Sequence, residues 1–223
     1  MKNISAKPYF FFGTKTTSIN DFISSFEPNL QSHIVLVSLN QTHSDTICLI
    51  QEPLTQNSTF DNYDAVITTQ NNILLSIKTA DCVPMIFTDT NRHIIAISHQ
   101  GWKGSLSNLP IKAISKMIEL GSKKEDILIH IGPSIKACCY HVYGERLDLF
   151  YQKNTLLPSY IKKENETFML DLQQYNLDKL IEYDISQSNI SIITRCTKCN
   201  SDVYHSYQVG NDNMNNVSAV IQI

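Results

Sequence analysis

The segment Ile73–Gly104, ILLSIKTADCVPMIFTDTNRHIIAISHQGWKG, decides how this chain folds. It contains three short runs rich in apolar and β-branched residues, Ile73–Lys78, Val83–Thr88 and His93–Ser98. Runs of this length bounded by turn residues read as strands. The same signal recurs on both sides, at His33–Leu39, Thr46–Ile50, Ala65–Thr68, Asp126–Ile131, Asn189–Ile193 and Val217–Ile223. Helical patterns are fewer. Leu109–Leu120 places Ile111, Ile114 and Ile118 at helical spacing, with Pro110 near its start and Gly121 just past its end. Asp171–Tyr183 carries Leu172, Tyr175 and Leu180 on one face, and Gly144–Tyr151 is a third, weaker helix. Strands outnumber helices and do not alternate with them, which disfavours a doubly wound parallel sheet. The expected class is α+β: a layered sandwich of mixed sheets with helices outside.

No stretch reads as a linker or repeat, so residues 1–223 are expected to form one domain. Asn211–Asn216 (NDNMNN) is read as a surface loop. With 42% hydrophobic residues the chain can bury a sizeable core without disulfides. Its 18 basic and 21 acidic residues nearly balance and form no basic tract. Nucleic acid and anionic membrane are therefore not expected partners. The N-terminal apolar run, Tyr9–Phe12, is too short for a signal peptide, and no window approaches a membrane span. A cytoplasmic protein is expected, in which six cysteines serve metal binding, catalysis or packing rather than disulfides.

Three segments at strand ends each hold a borderline or soft metal ligand: His43 in Gln41–Asp45, Cys82 in Thr79–Pro84, and His99 in Ser98–Gly104. Two imidazoles and one thiolate suit one zinc ion with a fourth position open, the ligand count of catalytic rather than structural zinc. Any one of these residues alone reads more simply as core or surface filler. After His99, Gly101 and Gly104 flank Trp102 and Lys103. Glycines here permit positive φ or a close backbone approach. Trp102 is either a core residue or a stacking wall, and Lys103 either a solvated lysine or a point charge for an anion. Asp45 and Asp81, beside ligands, are either turn formers or groups that orient a ligand or accept a proton.

The motifs QTHSD (Gln41–Asp45), DAVITT (Asp64–Thr69), LLSIKTADCVPMIF (Leu74–Phe87), IAISHQGWKGSL (Ile95–Leu106), IGPSIKACCYHV (Ile131–Val142), DLQQYN (Asp171–Asn176) and RCTKCNSDVYHSY (Arg195–Tyr207) occur in the order seen in the YfiH-type family. That family was formerly described as multicopper polyphenol oxidase or laccase-domain proteins. The resemblance runs from about residue 8 to the C-terminus. It implies zinc on His43, Cys82 and His99, and a fold once grouped with putative cysteine hydrolases. It also implies purine nucleoside phosphorylase activity on adenosine, inosine, guanosine or methylthioadenosine, with adenosine deamination as a further activity. On this reading Asp81, Asp45 and Lys103 are catalytic candidates. Gln41, Gly101, Trp102 and Tyr207 are candidates for substrate contact, and nucleoside and phosphate are the small-molecule partners of a monomer or homodimer.

The chain departs from the family pattern at Gln100, Lys103, His141 and Gln208, where the usual alanine, arginine, glutamate and arginine are absent. Lysine keeps charge but loses the bidentate fork. The resemblance also implies an alternative, a zinc hydrolase acting on peptidoglycan precursors, and the lost arginines leave open a non-catalytic binding protein. A copper oxidase fits poorly, because the chain has seven histidines and no His-x-His pair. Cys196 and Cys199, with His205 beyond and Cys138–Cys139 elsewhere, are read as structural thiols, since adjacent cysteines are awkward chelators.

Overall fold

The computed structural model describes residues 8–151, 156–210 and 215–223. In chain order the elements are β1 (Pro8–Phe12), α1 (Ile19–Ser24), α2 (Pro28–Gln31), β2 (Val35–Asn40), β3 (Ile47–Ile50), β4 (Ser58–Asp61), β5 (Ala65–Thr68), β6 (Ile73–Thr79), β7 (Val83–Asp89) and β8 (Ile94–Gln100). They continue with α3 (Trp102–Leu106), α4 (Leu109–Glu119), β9 (Leu128–Ile131), β10 (His141–Val142), α5 (Gly144–Phe150), β11 (Ile161–Glu164), β12 (Thr167–Leu170), α6 (Leu172–Glu182), β13 (Ile190–Ile192) and β14 (Asn216–Gln222). Two short 3₁₀ turns precede β9 and β13.

Two mixed sheets form the body. One has the order β1-β14-β6-β2-β4, the other β13-β9-β7-β8-β5-β3. A small three-stranded sheet, β10-β12-β11, stands apart from them. The period-2 geometry of strands explains how the layers stack. In β6, Ile73, Leu75 and Ile77 meet Ile86, Ile95 and Ile97 of the second sheet in one apolar cluster. Leu74 points the other way, into a cluster with Phe22 and Phe26 beside α1. In β7, Val83, Met85 and Phe87 face a third cluster that includes Ile114 and Met117 of α4 and Tyr175 and Leu180 of α6. The result is helix, sheet, sheet, helix, with β6, β7 and β8 covered on both sides. This matches the α+β class expected from sequence.

The strand expected at His93–Ser98 runs as Ile94–Gln100, so His99 lies on a strand rather than in a loop. The buried stripe of α4 is Leu109, Ala113, Ile114 and Met117, with Ile111 and Ile118 only partly covered. Gly101–Gly104 is not an irregular loop: Gly101 caps α3 with φ −74°, so its backbone is ordinary. Glycine is required there for space. A Cβ on Gly101 would stand 2.6 Å from His43 Cδ2. Residues 211–214 of the expected Asn-rich loop lie outside the described residues. Among the described residues no helix is long and apolar enough to cross a membrane.

Candidate metal centre and cleft

The three ligand candidates come from the seam between the two large sheets. His43 follows β2 of the first sheet, Cys82 lies in the turn carrying β6 of the first into β7 of the second, and His99 sits on β8 of the second. Their ligand atoms all lie within 4.8 Å of one another. Cys82 Sγ is 3.8 Å from His43 Nε2, and the two imidazole rings meet edge-on with centroids 4.8 Å apart. His43 and Asp81 both adopt positive φ, 59° and 81°. Such backbone in non-glycine residues costs energy and clusters at functional sites.

Asp64 organises this group. It is fully buried at the entrance to β5. Its carboxylate accepts from His99 Nδ1 at 2.7 Å, from the backbone N–H groups of Thr42, His43 and Ser44, and from Ser44 Oγ. A carboxylate can only accept here, so His99 Nδ1 carries the proton and Nε2 is left for a ligand bond. Burial alone would raise the Asp64 pKa, but the hydrogen bonds from His99 and Ser44 hold it at about 2. Burial likewise raises the Cys82 thiol, yet the positive charge of His99 and hydrogen bonds from both histidines bring it down to about 6. Burial disfavours charge on His99, but the Cys82 thiolate and Asp64 raise it to about 9. The thiolate is therefore stabilised by positive charge on its imidazole neighbour. A divalent cation can take over that role, and the donor set of two imidazole nitrogens and one thiolate fits zinc with an open position.

The group lies in a cleft of about 660 Å³, within the usual range for small-molecule sites. Gln41, Asp81, Trp102 and Tyr207 line it. Gln41 is committed to structure as well: its amide pairs with both backbone groups of Lys78, like one more rung of a ladder. The Asp81 carboxylate accepts from Thr197 Oγ1 at 2.6 Å and from the Gln208 N–H at 3.0 Å, tying the ligand turn to the C-terminal loop. Gly101 packs on the back of His43. Two catalytic candidates fall outside the lining: Asp45 pairs with Lys112, and the Lys103 ammonium sits 5.5 Å from the Trp102 ring centroid.

The sequence reading missed Asp64, inside the DAVITT motif, and Arg146 on α5. Arg146 lines the cleft with its guanidinium carbon 4.9 Å from the Trp102 centroid and Nη1 3.4 Å from Tyr140 Oη. No spacing rule connects either residue to the ligands. A second convergence also appears away from the cleft lining: Cys138, Cys139, Cys196 and Cys199 gather with sulfurs within 4.8 Å.

Fold and site together define a seam-located cluster of two histidines and one cysteine that could hold a metal ion, opening on a ligand-sized cleft. The chain belongs to the family described as multi-copper polyphenol oxidoreductase laccase, whose profile matches residues 18–223. It is 35% identical over 165 residues to a purine nucleoside phosphorylase of Clostridium acetobutylicum, covering 74% of this chain and 66% of that one. It is 33% identical to a purine nucleoside phosphorylase of Rickettsia prowazekii, covering 77% and 69%. Adenosine deaminase RL5, from an unknown prokaryotic organism, is 27% identical, covering 77% and 68%. The chain thus spans about two thirds of the length of these relatives. Among solved structures, YfiH of Bacillus licheniformis superposes with TM-score 0.74 at 26% identity, covering 84% of this chain and 74% of that one. YlmD of Geobacillus stearothermophilus gives TM-score 0.72 at 20% identity, covering 98% and 92%, and supports the fold.

Proposed function

We propose that this protein is a zinc-dependent purine nucleoside phosphorylase. The observation that carries the reading is the convergence of His43, Cys82 and His99 in a cleft that also presents an aromatic wall and one guanidinium. The printed names of the Clostridium and Rickettsia relatives agree with it. Zinc would be held by His43 Nε2, Cys82 Sγ and His99 Nε2, and would supply Lewis-acid polarisation of a substrate oxygen. Copper chemistry is less well served, since these three ligands form a single small site.

Phosphorolysis joins a phosphate oxygen to the anomeric carbon while the carbon–nitrogen bond to the purine breaks and the base leaves with the electron pair. The passing state resembles an oxocarbenium ion, as in glycoside cleavage. Arg146 would bind phosphate through its forked donors, the role that the loop lysine was expected to fill. Its contact with Tyr140 and Trp102 fixes where that fork points. Trp102 and Tyr207 would stack or enclose the base, Tyr207 being 70% exposed at the lip and free to cover a ligand. Asp64 is a positioning residue, holding the tautomer of His99 and the backbone beneath His43. Asp81 acts on the position of the Cys82 turn rather than on substrate, because both its oxygens are engaged.

The test is incubation of metal-analysed protein with adenosine and inosine, with and without phosphate. Free base and ribose-1-phosphate should appear only with phosphate, and Cys82→Ala should abolish both. Release without phosphate dependence would refute phosphorolysis. Conversion of adenosine to inosine without phosphate would instead place the activity with adenosine deaminase RL5. Zinc present with no turnover of any nucleoside would favour a peptidoglycan-precursor hydrolase or a binding protein.

A further inference from the structure

We propose that Cys138, Cys139, Cys196 and Cys199 form a second metal site, a tetrathiolate that takes zinc or another thiophilic divalent ion and ties together two loops flanking the cleft. The four sulfurs lie within 4.8 Å of one another. Cys199 Sγ is 3.5 Å from Cys138 Sγ and 3.4 Å from Cys139 Sγ. A tetrahedral zinc with bonds near 2.3 Å sets its sulfurs about 3.8 Å apart, so the cluster needs only small adjustments to close on an ion. A disulfide needs about 2 Å, and all six cysteines are free.

Adjacent cysteines are awkward chelators in an extended chain. Here Cys138 and Cys139 lie in a tight turn, where the N–H groups of Cys139 and Tyr140 both bond to the Lys136 carbonyl. That turn brings both sulfurs to the same partner. The other pair, Cys196-x-x-Cys199, is also turned, with the Asn200 N–H on the Cys196 carbonyl at 3.0 Å. The two turns are held side by side by a parallel bridge between Ser134 and Cys196.

The backbone N–H groups of Cys199 and Lys136 bond the Cys196 sulfur. Two thiols are exposed and one half-buried, so an ion can enter from solvent. His205 is not part of this cluster; its backbone N–H donates to Asn216 Oδ1.

Such an ion would brace the cleft. The Ile135 N–H bonds the Asp81 carbonyl, and Thr197 Oγ1 bonds the Asp81 carboxylate, so each bound loop grips the residue preceding Cys82.

The test counts metal in protein purified under reducing conditions and supplied with zinc. Wild type should hold about two ions per chain and Cys82→Ala about one. Cys196→Ser/Cys199→Ser should also hold about one, now in the histidine-containing site. Cobalt added to Cys82→Ala should give the intense thiolate-to-metal charge-transfer bands of a four-sulfur site. That measurement stands even if the double variant does not fold. Cys82→Ala that binds no zinc or cobalt while all its thiols alkylate freely would overturn the proposal. So would wild-type protein holding one ion and losing it entirely in Cys82→Ala. These readouts do not depend on nucleoside turnover, so loss of the proposed enzyme activity would leave them unchanged.

Discussion

Replacing Asp64 with asparagine tests how the metal centre is held. The two side chains have nearly the same shape, so packing around a fully buried position is preserved. Their hydrogen-bonding capacity differs. Asp64 accepts from five donors divided between its two oxygens. An asparagine has one oxygen and one NH₂ group. With NH₂ at the Oδ2 position, it meets the Ser44 N–H, which now lies 2.6 Å from that atom. With NH₂ at Oδ1, it meets His99 Nδ1, which must then accept and move its own proton to Nε2, the nitrogen needed for metal. Either arrangement harms the centre. Loss of a carboxylate behind a ligating histidine weakens metal binding about 10–100-fold, or about 1.4–2.8 kcal/mol. The chelator-treated protein should also lose stability. Holding the Asp64 pKa at about 2 against an ordinary 3.8 contributes about 2 kcal/mol near neutral pH. Because the folded value is the lower one, this contribution is complete above 3.8 and fades as pH falls towards 2. The gap between wild type and Asp64→Asn should therefore close in acid. Zinc competition against a chromophoric chelator reads the first effect, and denaturant melts of metal-free protein at neutral and acid pH read the second. Unchanged zinc affinity together with an unchanged midpoint would show that Asp64 does not organise the site.

Gly101→Ala should displace His43, since the added Cβ would lie 2.6 Å from its ring, and lower zinc affinity while the far-ultraviolet circular dichroism spectrum stays unchanged. Arg146→Met should raise the KM for phosphate at least 10-fold with little change in zinc content; an unaltered KM would remove Arg146 from phosphate binding. Phe87→Ala, at a fully buried position facing α4 and α6, should cost about 3–5 kcal/mol in urea melts. Thr197→Val should leave an Asp81 oxygen without its hydroxyl donor and cost about 1–3 kcal/mol, with a matching loss of zinc affinity through the Cys82 turn.

The central strands were legible because their β-branched runs are long and bounded by Asp, Asn and Gly. β5 spans Ala65–Thr68, the same limits that its run of four buried residues suggests. β1, β4 and the small three-stranded sheet were not read as strands, since Tyr9–Phe12 looks like a mere aromatic run and β10 has only two residues. α3 escaped because two glycines mask a five-residue helix. The candidate ligands His43, Cys82 and His99 were legible through their motifs, and the structure brings all three together. Asp64 was not, because one buried carboxylate leaves no periodic trace and its role depends on a loop 20 residues upstream. The four cysteines were visible but read as structural thiols: the pairs are about 60 residues apart, and their convergence depends on two turns that adjacent cysteines do not announce.

The location of the proposed metal centre at the seam has a wider consequence. Two of its ligands come from opposite sheets and the third from the turn that joins them. The distance across the sandwich is therefore a functional length, fixed by how Leu75, Ile77, Ile86 and Ile97 fill the space between the sheets. A methyl group removed there should let one sheet settle against the other and change the shape of the candidate ligand triangle although no ligand has been touched. Substitutions in this core that keep the sheets the same distance apart would then leave the cluster's geometry intact, and others would not.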